Sequence, residues 1–181
     1  YTVTGTNIYG CQSSDAVSVK IKSTISTQTL SFDSLSTYTY GDAGFKLKAS
    51  VSSGLPVTYT SSNTAVAIVS GDTITIVGAG TTNITASQSG NSSYQAATPV
   101  VRTLIVNKAT LTATSNANKV YGDANPILNI TYSGFKNNET ASVIDTLPIA
   151  TTLATMSSSV GTYVITVTGG DDNNYLINYL P

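Results

Sequence analysis

Apolar residues along this chain recur at every second position in short runs, and the runs are separated by Gly, Asn, Asp and Pro. In GFKLKASV, Phe45, Leu47, Ala49 and Val51 fall on one face and Lys46, Lys48 and Ser50 on the other, the pattern of a half-buried strand. AVAIVSGDTITIVG places Ser70 and Gly71 between two such runs, and a glycine free to take positive φ is what a tight hairpin turn needs. GTTNITAS, VVRTLIV and GTYVITVT supply further strands, the last with Tyr163, Ile165 and Val167 on one side. No stretch of about ten residues carries helical periodicity. About seven short strands in about 80 residues fit a sandwich in which two antiparallel sheets bury their alternating faces against each other. The expected fold class is all-β: tandem immunoglobulin-like β-sandwich domains stacked end to end.

The pattern repeats. Tyr40, Gly41 and Asp42 recur 81 positions later as Tyr121, Gly122 and Asp123, and GNSSYQ (Gly90 to Gln95) lies at the same offset on DDNNYL (Asp171 to Leu176), with Tyr94 on Tyr175. Two matches in one register imply a duplicated structural unit. The opening AVSVKIKSTISTQTLSF runs from one strand straight into another, as VVRTLIVNKATLTA does later. Boundaries therefore fall near Lys22 and Lys108: residues 1–22 form the closing hairpin of a preceding domain, 23–108 one domain and 109–181 another without its last strand. With almost no linker at VNKATL, neighbouring domains should be stiffly coupled, each advancing a rod by roughly 35–40 Å.

Composition narrows what such a rod can do. Of the 181 residues 40% are hydrophobic and only 9% charged, which excludes a disordered chain, and the apolar runs are far shorter than the ~20 residues a membrane-spanning helix needs. No membrane insertion is expected in this segment. The net charge is −1, with eight Lys and Arg scattered singly, so the basic footprint of a nucleic-acid binder is missing. The chain opens without an initiator Met or signal peptide and closes in mid-pattern, and is read as a window from a longer exported polypeptide.

Catalytic chemistry finds little to work with. There is no His, one Cys and nine acidic residues, so Ser-His-Asp, Cys-His and His-based zinc sites cannot be assembled within it. A carboxylate pair for sugar chemistry remains formally open, but the acids sit mainly in turns, and no enzyme is expected. In the Tyr-Gly-Asp turns, Gly takes the strained φ, Asp accepts backbone N–H bonds and Tyr packs across the sandwich edge; a ligand-binding role for Asp42 or Asp123 is the lesser alternative. GGDDNNY gathers hard oxygen ligands at Asp171, Asp172 and Asn173, a candidate calcium loop whose duller reading is an Asn-rich turn. No other cofactor is expected. Cys11 stands alone, either a free thiol or half of a disulfide. Asn83, Asn91, Asn129 and Asn138 match the Asn-X-Ser/Thr pattern, a weak signal in bacteria.

KVYGDANPILNITYSGFKNNE followed by SSSVGTYVITVTGGDDNNYLINY, within residues 109–181, resembles the YGX-type MBG domain, an immunoglobulin-like repeat of large bacterial surface proteins. VTYTSSNTAVAIVSGDTITIVGAGTTNITASQSGNSSYQAA, within residues 28–108, is similar to the bacterial group 2 Ig-like type. Residues 1–22 resemble the closing hairpin of Ig-like modules in secreted Bacteroidota proteins. Such company implies a repeat or stalk segment of a giant, extracellular cell-surface adhesin like those of gliding motility. Its implied partners are neighbouring Ig-like repeats, surface or environmental glycans, and the outer-membrane secretion and motility machinery. The resemblance also implies that Cys11 pairs with a Cys earlier in its own domain, outside this chain. It further marks Ser34, Thr73 and Thr146, each in an Asp-Ser/Thr-aliphatic triplet, as O-glycan candidates of the kind the Bacteroidota modify, where sugar would cover sheet edges. The alternatives are a carbohydrate-binding module of a secreted multidomain enzyme, which an exposed row of aromatics would support, and a pure spacer.

Overall fold

The computed structural model describes residues 2–6, 8–9, 12–16 and 25–180, the two short strands at the start as backbone only. Cys11, and the boundary expected near Lys22, lie outside the described residues. The protein is all-β. Strands β1 (Thr2–Thr6) and β2 (Gln12–Ala16) form an antiparallel hairpin, Thr2 opposite Ala16 and Thr6 opposite Gln12.

Residues 25–107 build three sheets. The largest has the order β4-β11-β10-β7, from β4 (Tyr38–Thr39), β7 (Thr58–Ser61), β10 (Gly80–Ser87) and β11 (Val100–Asn107). β3 (Leu30–Phe32) pairs with β6 (Ala49–Val51), and β5 (Phe45–Lys46), β8 (Ala67–Ser70) and β9 (Thr73–Ile76) form the third sheet in the order β5-β9-β8. The period of two decides which face is buried: Thr82, Ile84 and Ala86 of β10 point inward, as do Leu104 and Val106 of β11.

Residues 109–180 build two sheets. One has the order β13-β12-β16, from β12 (Ala109–Ser115), β13 (Ile130–Ser133) and β16 (Tyr175–Leu180). The other pairs β14 (Ile149–Thr152) with β15 (Ile165–Thr168). A single 3-10 turn, Ala141–Val143, is the one piece of helix among the described residues. No strand of 25–107 pairs with one of 109–180 among the described residues, yet the buried core is continuous, running from Phe32 through Tyr40 to Ala109, Leu111 and Tyr175.

Two local expectations change. The strand expected over residues 45–51 is split: Phe45 pairs with Ile74 in one sheet and Ala49 with Phe32 in another. Between them Leu47 N–H reaches Asp72 O at 2.7 Å and Asp33 N–H reaches Lys48 O at 3.3 Å. The inside-outside alternation survives because the chain stays extended while it changes partner sheet, the way a sandwich turns a corner. In GTYVITVT only Ile165–Thr168 is strand, since its partner β14 ends at Thr152, opposite Ile165. The hairpin loop of β8 and β9 is Gly71 and Asp72, with Ser70 already paired to Thr73.

Candidate functional site at the joint between the two sheet groups

β11 ends at Asn107 and β12 begins at Ala109, so Lys108 alone connects them. Around that residue the two groups are locked together, and the first Tyr-Gly-Asp turn is half of the lock. Gly41 has φ +89°, a left-handed conformation that a side chain disfavours. Asp42 N–H bonds Thr39 O at 3.0 Å and Asp42 Oδ2 accepts Thr39 N–H at 2.8 Å, closing the turn on itself. Tyr40 N–H reaches Asn107 O at 2.9 Å, which ties the turn to the last residue of β11. The Tyr40 ring is thereby aimed into residues 109–180 and is only 5% exposed.

The receiving half is built by two further turns. Asn137 and Asn138 take φ of +52° and +59°, the left-handed region in which Asn is the tolerated side chain, and Glu139 N–H closes back on Lys136 O at 2.9 Å. This turn presents the Glu139 carboxylate. Its Oε1 accepts the Tyr40 phenol at 2.6 Å and its Oε2 accepts the Tyr175 phenol at 2.5 Å. The Tyr175 oxygen in turn accepts Lys136 N–H at 2.7 Å. The Tyr40 and Tyr175 rings meet edge to face with centroids 5.5 Å apart, and Phe135 meets Tyr175 the same way at 5.5 Å. Such pairs contribute about 0.5–1.5 kcal/mol each beyond the area they bury.

Asp172 sets the second turn. It is 4% exposed, and its Oδ1 accepts N–H from Asn174 at 2.7 Å and Tyr175 at 2.8 Å while Oδ2 accepts Asp145 N–H at 3.3 Å. Asn174 so held bridges the groups: Oδ1 accepts Ala79 N–H at 2.8 Å and its carbonyl accepts Ala109 N–H at 2.9 Å. Lys108 Nζ donates to Asp172 O at 2.7 Å, fastening the connector itself. Burial, followed by the bonds to Glu139, pushes the Tyr40 and Tyr175 phenols above the ordinary tyrosine range. They remain neutral donors well past neutral pH.

Other candidate residues sit apart from one another. Asp171 exchanges backbone bonds with Thr146, at 2.9 and 3.0 Å, and Asn173 N–H goes to Asp145 Oδ2 at 2.9 Å. The Asp172 oxygens face backbone donors, and among the described residues no three acidic, Cys or His side chains gather to hold an ion. Ser34 and Thr146 are exposed, whereas Thr73 is half-buried at the start of β9 with its hydroxyl on Asp72 Oδ1 at 3.1 Å. Tyr121, Gly122 and Asp123 lie at the far end of residues 109–180, beside an open cavity of about 240 Å³ lined by Lys119, Tyr121, Asn125, Leu128 and Tyr163 among others. Sequence reasoning did not single out Glu139, Asn174 or Lys136. The available signal was Asn137-Asn138, a pair suited to consecutive left-handed residues, just before an acid and one residue removed from Phe135.

Residues 109–181 match the family model for the MBG domain (YGX type). No curated protein and no solved structure matches the chain. MBG domains are found in extracellular repeat regions of surface proteins. Tyr121, Gly122 and Asp123 lie inside the matched span, and Tyr40, Gly41 and Asp42 precede it. The segment that matches this model is thus fastened at its near end by a Tyr-Gly-Asp turn that belongs to the residues before it. No helix among the described residues is long and apolar enough to cross a membrane.

Proposed function

We propose that this chain is a stiff stalk segment of a large exported cell-surface adhesin of the gliding-motility kind, with no catalytic role. Its sandwiches hold a binding element away from the cell or spread many weak contacts along a filament, so that avidity arises from copy number. The observation that supports this reading best is the joint: a one-residue connector flanked by Tyr40, Glu139 and Tyr175 in mutual hydrogen bonds. Joints of loosely linked domains leave relative motion as the default. A buried aromatic and carboxylate lock is of use where length and direction must be kept. The partners proposed are neighbouring Ig-like repeats along the same polypeptide, surface glycans at the tip, and the export machinery of the outer membrane. O-glycans on exposed Ser34 and Thr146 fit the same setting.

The test is immunolabelling of intact source cells with antibodies raised to this chain, together with attachment assays on cells lacking the parent gene. Surface label and lost attachment are expected. Label seen only after lysis, or a parent that carries a catalytic domain, would sink the adhesin reading.

A further inference from the structure

Gly41 and Gly122 both have φ +89°, and in both turns the Asp N–H closes on the carbonyl three residues earlier, Asp42 on Thr39 at 3.0 Å and Asp123 on Val120 at 3.2 Å. The two Tyr-Gly-Asp turns therefore share their glycine conformation and backbone closure, but only Asp42 also accepts Thr39 N–H on its carboxylate. The second turn is held to its own module by Gly122 N–H on Met156 O at 3.3 Å and Lys119 Nζ on Asp123 O at 2.9 Å. Tyr40 is 5% exposed beneath Tyr175 and Glu139, while Tyr121 is 64% exposed. A Cβ built on Gly41 would lie 2.5 Å from the Lys136 side chain, whereas one on Gly122 would meet nothing within 4 Å. Val120 and Ile127 beside Tyr121 are also exposed, at 71% and 84%. The tyrosine of one turn is buried in a joint, while that of the other stands at the surface beside the far-end cavity.

We propose that Tyr121, Gly122 and Asp123 are the donor half of a second joint, which takes a module of the 109–180 kind. That module presents a carboxylate beside a phenol ring that is itself backed by an aromatic, as Glu139 and Tyr175, with Phe135 behind it, do for Tyr40. The glycine is required on two counts: the turn needs its positive φ, and the incoming module lays the stem of a long side chain where a Cβ would stand. The tyrosine supplies one phenol donor to the carboxylate and one ring to the aromatic stack. In this reading the Tyr-Gly-Asp turn orders the array, because a module stacks where it can offer an acid to that phenol. The inference deepens the stalk reading and rests on it.

The test uses the whole chain, extended after Leu180 by a second copy of residues 100–181, which keeps the 81-residue spacing. Tyr121 then faces the copies of Glu139 and Tyr175. Tyr121→Ala should lower the thermal midpoint of the extended chain by about 2–4 °C, the scale of shift for a chain of this size, and leave that of the 181-residue chain unchanged. Tyr121→Phe should give a smaller loss, and Glu139→Ala in the appended copy, which removes the acceptor altogether, should abolish the difference between Tyr and Phe. If Tyr121→Ala is equally silent in both chains while the appended module still tumbles with the rest in NMR relaxation, the inference is overturned and the stalk reading stands. If the appended module tumbles independently, stiff stacking at this turn fails too, whatever surface labelling shows for the first joint.

Discussion

Tyr40 and Glu139, 99 residues apart, share a 2.6 Å hydrogen bond that joins two groups of sheets with no strand in common. The bond is charge-assisted and partly shielded from water, and Tyr175 uses the other oxygen of the same carboxylate. Removing the acid therefore strands two buried phenols at once. Glu139→Ala is expected to cost about 1–3 kcal/mol for each of the two stranded phenols, and Tyr40→Phe about 1.5–3 kcal/mol, the value of one bond to a charged group, because Tyr175 keeps its acceptor. A double-mutant cycle of the two in urea unfolding should show a coupling of about 0.5–3 kcal/mol. Strict additivity would mean that the bond does not hold the joint.

The two glycines separate backbone strain from close packing. Gly41→Ala and Gly122→Ala force the same left-handed residue, at about 1–2 kcal/mol. Only at Gly41 does the new methyl also meet the Lys136 stem. Gly41→Ala should therefore destabilise more than Gly122→Ala and should loosen the joint, read as faster independent tumbling of residues 109–180 in NMR relaxation. Equal losses with an unchanged joint would show that the Lys136 side chain swings aside freely.

Asp172 tests whether its loop is a turn cap or an ion site. Its oxygens accept three backbone N–H groups, so Asp172→Ala should cost about 1.5–3 kcal/mol, while Asp172→Asn, which keeps an acceptor, should cost less. Calcium or a chelator should leave the thermal midpoint where it is. A calcium-dependent rise that Asp172→Asn abolishes would restore the ion reading for Asp171, Asp172 and Asn173.

How far the sequence discloses this molecule depends on the range of the interactions involved. Alternation exposed the strands because a sheet face is set by residues two apart, as in Thr82, Ile84 and Ala86. The same local logic could not see that residues 45–51 serve two sheets, since Phe45 and Ala49 alternate correctly in either. The repeat exposed Tyr40 and Tyr175, one through Tyr-Gly-Asp and the other through its match to Tyr94, but not that they touch. Their contact depends on a third residue, Glu139, with no counterpart in the repeat to mark it. Tyr40 was expected to pack across its own sandwich edge, and it also packs on the neighbouring group because the connector is one residue long. Alternation around Tyr163 overstated β15, because no ladder partner reaches it among the described residues.

Alkaline pH should open the joint before it unfolds the sandwiches. Burial, then the bonds to Glu139, raises the Tyr40 and Tyr175 phenols above the ordinary value near 10. In the unfolded chain these phenols ionise at about pH 10, while in the folded chain they stay protonated, so above that pH the unfolded state binds fewer protons and stability falls as pH rises. Their contribution is fully present below about pH 10 and is lost as pH climbs through the raised folded values. Between about pH 6 and 9 the phenols therefore add no pH dependence. Spectrophotometric titration should show three late-ionising tyrosines, Tyr40, Tyr132 and Tyr175, and Glu139→Gln should bring the Tyr40 and Tyr175 pair down toward the exposed group while leaving Tyr132, which burial raises, where it is. If the late pair ionises with the other tyrosines in the native protein, or stays late after Glu139→Gln with the joint open, the phenol and carboxylate lock is not what fastens these modules.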